Sequence, residues 1–179
     1  MNKQEPKKNY KALLTSIQAF IFDYDGVLTD GSVILMAEGE PLRTANVRDG
    51  YALQLAIKKG YLVAIISGGR SRSITNRFSM LRITDVFLGI EDKSSVLRSY
   101  MEQKSLGTEQ VLYMGDDIPD FHAMQLAGVA ACPGDAAEEI KAISHYISPR
   151  NGGKGCVRDI IEQVLRVQGK WMNDDAFSW

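Results

Sequence analysis

Cysteine is scarce in this chain: two occur among 179 residues, Cys132 and Cys156. Two do not make a disulfide framework. Each lies among apolar or small residues, as a core or surface thiol does, and a reducing cytoplasm suits such a chain. Histidine is equally rare, and neither His122 nor His145 stands at ligand spacing to a partner, so both read as structural. An excess of charge of one sign is missing too. The formal charge is -1, which gives no general attraction to nucleic acid or to an anionic membrane. No apolar run approaches the roughly 20 residues of a membrane helix. The opening MNKQEPKKNY is polar and basic with no apolar segment behind it, unlike a secretory signal. Repeats and low-complexity linkers are absent as well. The expectation is a soluble cytoplasmic protein with one domain over 1–179, made of an extension at 1–16, a β-hairpin at 32–47 and a tail and helix at 149–179.

What is present is alternation. AFIFDYD (19–25) reads as a buried strand, and SVILMA and PLRTANV around Glu38-Gly39-Glu40 read as the two arms of the hairpin. Asp49 opens a helix over about 50–59, with Leu53, Ala56 and Ile57 on one face and Gly60 at its end. Strands at 62–67, 85–89, 111–115, 128–132 and 145–148 then alternate with helices at 71–80, 92–103, from Pro119, at 135–143 and at 156–168. Met80, Met101, Met114 and Met124 read as core. Such an order predicts an α/β fold, a Rossmann-like, doubly wound parallel sheet with helices on both faces. Binding sites in these sheets lie at the carboxyl ends of the strands.

Polar residues cluster at those ends. The first strand ends in Asp23 and Asp25, the second in Ser67-Gly68, and the fourth in Gly115-Asp116-Asp117 with Asp120 soon after; Lys93 opens the helix behind the third. One residue separates Asp23 from Asp25, so in a regular strand both would share a face. Crowded carboxylates need a cation, and an all-oxygen donor set suits Mg²⁺ better than Zn²⁺. An aspartate is a competent nucleophile toward phosphorus when metal and cations neutralise the phosphate. Lys93 and the Ser67 hydroxyl supply that field, while Gly26 and Gly68 permit close approach of backbone N–H groups to phosphate oxygens. Singly, each feature has an ordinary reading: a strand-end Asp caps or turns, Lys93 after Asp92 starts a solvated helix, and Ser67-Gly68 is a turn. Their joint occurrence at successive strand ends spells a phosphoryl-transfer site.

FDYDGVLTDG resembles the first motif of the haloacid dehalogenase superfamily of phosphatases, Ser67-Gly68 its second, Lys93 its third and GDDIPD (115–120) its fourth. The resemblance runs from Ala19 to Lys170. Only the short hairpin follows the first motif, and about 25 residues separate Ser67 from Lys93, so the chain resembles the capless branch. Within it, NVRDG (46–50) and GGKG (152–155) with Val157-Arg158 are similar to the phosphatases of 3-deoxy-D-manno-octulosonate 8-phosphate, which act in making the lipopolysaccharide sugar Kdo.

The resemblance implies Asp23 as nucleophile and metal ligand, Asp25 as general acid and base with its backbone carbonyl on Mg²⁺, and Asp116 as third protein ligand. It implies Asp117 and Asp120 as nearby support, and Ser67, Gly68 and Lys93 as holders of the phosphate. Asn46, Val47, Arg48, Asp49 and Gly50 would line the sugar pocket, and Arg77 would match a substrate-binding arginine; for a small phosphorylated sugar acid, Arg48, Arg70 and Arg77 are suitable anchors. A homotetramer in which neighbours cover each other's sites is implied as well. One departure stands out: relatives often carry a basic residue directly after the second-motif glycine, where this chain has Gly69 and then Arg70. Either Arg70 replaces it from one position on, or the pocket is wider. Other readings are a phosphatase of a 9-carbon sialic-type acid phosphate or of a nucleotide, and a non-catalytic assembly domain; repair of nucleic-acid 3′ ends is disfavoured by the balanced charge.

Overall fold

The structure, a computed structural model, describes residues 9–177. Residues 1–8 of the expected N-terminal extension, and Ser178 and Trp179 of the tail, lie outside the described residues. No helix among the described residues is long and apolar enough to cross a membrane.

Six strands form one sheet: β1 (Ala19–Phe22), β2 (Leu62–Ser67), β3 (Asp85–Leu88), β4 (Val111–Met114), β5 (Val129–Cys132) and β6 (Tyr146–Ile147). Their order is β3-β2-β1-β4-β5-β6, and every pairing is parallel. Parallel strands covered on both faces read as continuous apolar runs, and β1, β4 and β5 are buried at every position. Alternate residues enter different cores. Phe20 and Phe22 join Leu53, Ile160 and Val164 on one face, while Ile21 joins Leu97, Tyr113 and Met124 on the other. The first face is covered by α2 (Val47–Lys58), α3 (Arg72–Met80) and α7 (Cys156–Val167), the second by α4 (Lys93–Gln103), α5 (Phe121–Leu126) and α6 (Glu138–Ile143). A short α1 (Tyr10–Leu13) precedes the sheet. The chain winds outward from β1 to β3, then crosses back to β4. The switch point therefore lies between β1 and β4, where a crevice opens at the carboxyl ends.

The hairpin, the start of α2 and Met80 differ from expectation. The hairpin does not zip into two strands: Ile34 and Leu42 form a single antiparallel bridge, with reciprocal N–H···O distances of 3.0 and 3.1 Å. Its arms expose Val33, Ile34, Leu35, Met36 and Leu42, and a two-stranded ribbon with no face to bury is marginal in water. Helix α2 starts earlier than expected, because the Asn46 side chain caps it by accepting the Arg48 N–H at 2.8 Å. Met80, read as core, is 74% exposed at the end of α3, whereas Met114 and Met124 are buried. The tail folds back on its own chain. Trp171 lies under the guanidinium groups of Arg158 and Arg166, 5.6 and 5.5 Å from its ring centre, and the Tyr51 hydroxyl donates to the Ala176 carbonyl. Both cysteines are buried free thiols, and His145 accepts the Ala130 N–H at 3.0 Å as a structural residue.

Asp49 sits in the first turn of α2, not at its cap. It is 1% exposed, accepts the Arg158 N–H at 2.7 Å, and leaves its second oxygen buried without a hydrogen-bond partner. Burial pushes its carboxyl up to about 6, only partly offset by the Arg158 and Gly155 amides. The native state thus holds a proton that the unfolded chain has lost between pH 3.8 and about 6, so stability falls as pH rises through that window. The gap corresponds to about 3 kcal/mol. In urea unfolding, the stability difference between Asp49→Asn and wild type is expected to move in the variant's favour as pH rises through this window. A difference independent of pH would contradict this assignment.

Candidate active site

The Asp23 N–H donates to the Met114 carbonyl at 3.0 Å, one step beyond the regular β1–β4 ladder, which places its side chain in the crevice. The chain then turns sharply. Gly26 has φ +90°, and the Leu28 and Thr29 amides both donate to the Tyr24 carbonyl at 3.0 Å. A Cβ at Gly26 would lie 2.0 Å from Asp116 Oδ2. Glycine is needed there both for the left-handed backbone and for the approach of Asp116 from the end of β4. The Gly152-Gly153 loop packs under the same turn: Gly153 donates its N–H to the Val27 carbonyl, and its carbonyl accepts from Asn46.

Asp23, Asp116 and Asp120 each offer a carboxylate oxygen within 4.8 Å of the others. Lys93, the first residue of α4, points inward because Asp92 caps that helix by accepting the Ser94 and Ser95 amides. Its Nζ lies 2.9 Å from Asp23 Oδ1 and 2.8 Å from Asp120 Oδ1. Tyr113 donates its hydroxyl to the same Asp120 oxygen at 2.8 Å, and Asp120 Oδ2 accepts the Asp116 N–H at 3.3 Å. Both oxygens of Asp120 are therefore engaged. Asp116 Oδ1, in contrast, is buried with no hydrogen-bond partner. Burial, then the Asp120 charge, pushes the Asp23 carboxyl up to about 7 against the pull of Lys93. Burial and the Asp23 charge push Asp116 up to about 8. One lysine does not balance three crowded carboxylates, and a buried Asp116 oxygen without a partner fits a cation held by Asp23 and Asp116.

Ser67 ends β2, buried, with its Oγ accepting the Gly69 N–H at 3.1 Å beside exposed Gly68. Asp25 is not placed as a strand partner of Asp23. Regular pairing stops at Phe22, and Asp25 lies in the turn, where Arg43 grips it with two nitrogens: Nε to Oδ1 at 2.5 Å and Nη2 to Oδ2 at 3.1 Å. Asp117 is exposed and caps the 3₁₀ turn Ile118–Asp120. Asn46, Gly50 and Arg77 come together beside Tyr24, with Arg77 Nη2 lying 2.4 Å from where a Gly50 Cβ would stand. Arg70 turns the other way and folds over Gly89 at the end of β3. Val47 and Arg48 are exposed, and Arg48 lines a separate cavity of about 390 Å³ with Arg150, Lys154 and Arg158. Asp49 faces α7 instead of a pocket. Two members of the site had no sequence signal of their own: Tyr113 reads as strand core, and Arg43 sits inside the hairpin.

The family model of haloacid dehalogenase-like hydrolases matches residues 78–160. The 3-deoxy-D-manno-octulosonate 8-phosphate phosphatase KdsC of Escherichia coli K12 is 34% identical over 155 residues, 87% of this chain and 82% of that protein. The crystal structure of the corresponding phosphatase of Yersinia pestis superposes with a TM-score of 0.89 at 32% identity, covering 91% of this chain and 88% of that one. The Moraxella catarrhalis phosphatase, solved with a magnesium ion, a phosphate ion and KDO, gives a TM-score of 0.88 at 32% identity over 93% and 94% of the two chains. With the motif residues at the carboxyl ends of β1, β2 and β4 and at the start of α4, and with identity and fold shared across most of both chains, the chain belongs to the haloacid dehalogenase-like hydrolase family and is one of its phosphoric monoester hydrolases.

Proposed function

We propose that this enzyme hydrolyses 3-deoxy-D-manno-octulosonate 8-phosphate to Kdo and phosphate, through an aspartyl-phosphate on Asp23, in the cytoplasmic synthesis of the lipopolysaccharide sugar. The observation that carries the mechanism is the buried triangle at the β1–β4 switch point, where Lys93 bridges Asp23 and Asp120 while Asp116 presents an unpartnered oxygen. Relatives about one-third identical, one of them solved with KDO, support the substrate.

Asp23 and Asp116, with the Asp25 backbone carbonyl, would hold Mg²⁺. Bound there, the ion supplies charge neutralisation of the phosphoryl oxygens. Asp23 attacks phosphorus, and Lys93, the Ser67 hydroxyl and the Gly68 amide hold the equatorial oxygens. Asp25 gives its proton to the departing sugar oxygen, then takes one from the water that opens the acyl phosphate. Asp120 fixes Lys93, and Asp117 fixes the turn that presents Asp120. Asn46, Gly50 and Arg77 flank Tyr24 and would meet the sugar, with Val47, Arg48 and Arg70 further out. Asp49 would act there by holding the start of α7.

The exposed apolar arm at residues 33–42 supports assembly through the arms into a homotetramer, whose neighbours would shield an otherwise open site. Phosphate release with and without Mg²⁺ tests the proposal on three compounds: the 8-carbon acid phosphate, a 9-carbon sialic-type acid phosphate and p-nitrophenyl phosphate. A preference of about a hundredfold for the 8-carbon acid, about 2.7 kcal/mol of transition-state binding, is expected. So is loss of activity on chelation and recovery with Mg²⁺. Preference for the 9-carbon acid would overturn the substrate and keep the chemistry. No release from any compound would overturn both.

A further inference from the structure

The arm at residues 32–43 is too poorly zipped to hold its own position, yet it is fastened to the catalytic rim at two points. Glu40 Oε2 accepts the Ser71 hydroxyl at 2.5 Å and the Arg72 N–H at 2.9 Å, tying the arm to the start of α3. Three residues on, Arg43 grips Asp25 with its two-nitrogen fork. Among the described residues, the other contact of the Asp25 carboxylate is a long one, the Thr29 hydroxyl at 3.5 Å.

Gly69 explains how the arginine reaches that place. A Cβ there would stand 3.1 Å from Asp25 Oδ2, 3.3 Å from Ser67 Oγ and 3.8 Å from Arg43 Nη2. The space beside Gly69 is therefore not a widened pocket. It is filled by the Asp25 carboxylate and the guanidinium behind it, and Arg70 does not fill it, being folded over Gly89.

We propose that Arg43, delivered by the arm, is the positioning residue of Asp25, and that Gly69 keeps the room for this pair. The inference rests on the reading of Asp25 as the acid and base of the reaction. When the phosphorus–oxygen bond breaks, the electron pair goes to the sugar oxygen, and the Asp25 proton moves to that oxygen. The carboxylate left behind gains its full charge inside a planar fork that already matches its two oxygens. The same fork holds both Asp25 oxygens and so fixes one rotamer of that side chain. An arm with its own anchor on α3 thereby becomes a working part of the site.

The test compares full-length wild type, Arg43→Ala and Arg43→Lys on two substrates whose leaving groups differ in their need for a proton. With the sugar acid phosphate, Arg43→Ala is expected to lose about 30-fold or more in kcat with KM within about threefold. With p-nitrophenyl phosphate, whose phenolate leaves unprotonated, the first-turnover release of nitrophenolate is expected to stay within about threefold of wild type. Arg43→Lys keeps the charge without the fork and is expected to recover only part of the loss. Equal losses on both substrates, a loss confined to KM, or no loss would each overturn the proposal. Failure of wild type itself to turn over either substrate would instead overturn the reading of the site on which it rests.

Discussion

Asp23→Asn is expected to lower kcat on the order of 10⁴-fold or more while the protein stays folded. The amide has the same shape but no anionic oxygen to attack phosphorus, and no other group in the crevice lies where Asp23 lies. Stability gives the companion reading. Burial raises the Asp23 carboxyl to about 7, so at neutral pH the metal-free protein bears a cost for ionising it. That cost grows as pH rises from 3.8 toward about 7, and the neutral amide does not share it. The metal-free variant should therefore melt no lower than wild type at pH 7, even though its 2.9 Å contact with Lys93 is no longer an ion pair. Added Mg²⁺ should raise the melting point of wild type more than that of the variant. An inactive variant that also unfolds would leave the chemical role of Asp23 without support, and an active one would contradict it.

Lys93→Met should be equally damaging for a different reason. Lys93 is 6% exposed and is the cation shared by Asp23 and Asp120. Methionine keeps most of the length and apolar stem but leaves the carboxylates facing one another. Removing one partner of a buried ion pair typically costs about 3 to 5 kcal/mol. The metal-free variant escapes part of this by taking up protons, since Lys93 is what pulls both the Asp23 and Asp116 carboxyls downward. Its destabilisation should therefore be smaller at acid pH and grow toward neutrality, as followed by urea unfolding. Catalysis has no such escape, because a phosphoryl group then meets the anionic rim without its fixed cation. A loss of about 10³-fold in kcat/KM is expected. A variant within tenfold of wild type would show that Lys93 only shapes the fold.

The parts of this molecule legible in the sequence are those where local pattern and global packing agree. β2 appears at residues 62–67 as expected, because an unbroken apolar run admits one reading in a doubly covered sheet. α7 begins at Cys156 as expected, behind Gly155 at φ +101°. Asp23, Ser67, Lys93 and Asp116 converge because each follows a strand whose end is fixed by the sheet. The misreadings share another cause. Val33, Ile34 and Leu35 look like strand residues, but strand pairing needs a covered face, and this chain alone does not provide one. Met80 fits an apolar pattern yet falls just past the last turn that packs. Asp49 looked like a helix start beside a pocket; the true cap lies at Asn46, and α7, more than a hundred residues later in the chain, claims the Asp49 carboxylate. Arg43 and Tyr113 could not be singled out, since what distinguishes them is a partner across the fold and not a neighbour in the chain.

Asp25→Ala offers the most direct view of the covalent aspartyl-phosphate on Asp23. With p-nitrophenyl phosphate and Mg²⁺, the first step needs no proton donor, while the second lacks its base. Rapid mixing should show a burst of about one equivalent of nitrophenolate per active site, followed by slow turnover. An acid quench at the end of the burst should leave a phosphoryl group, labile to hydroxylamine, on the peptide that contains Asp23. Phosphate appearing in step with nitrophenolate, with no burst and no phosphoryl group on that peptide, would mean that water attacks phosphorus directly and would contradict the account.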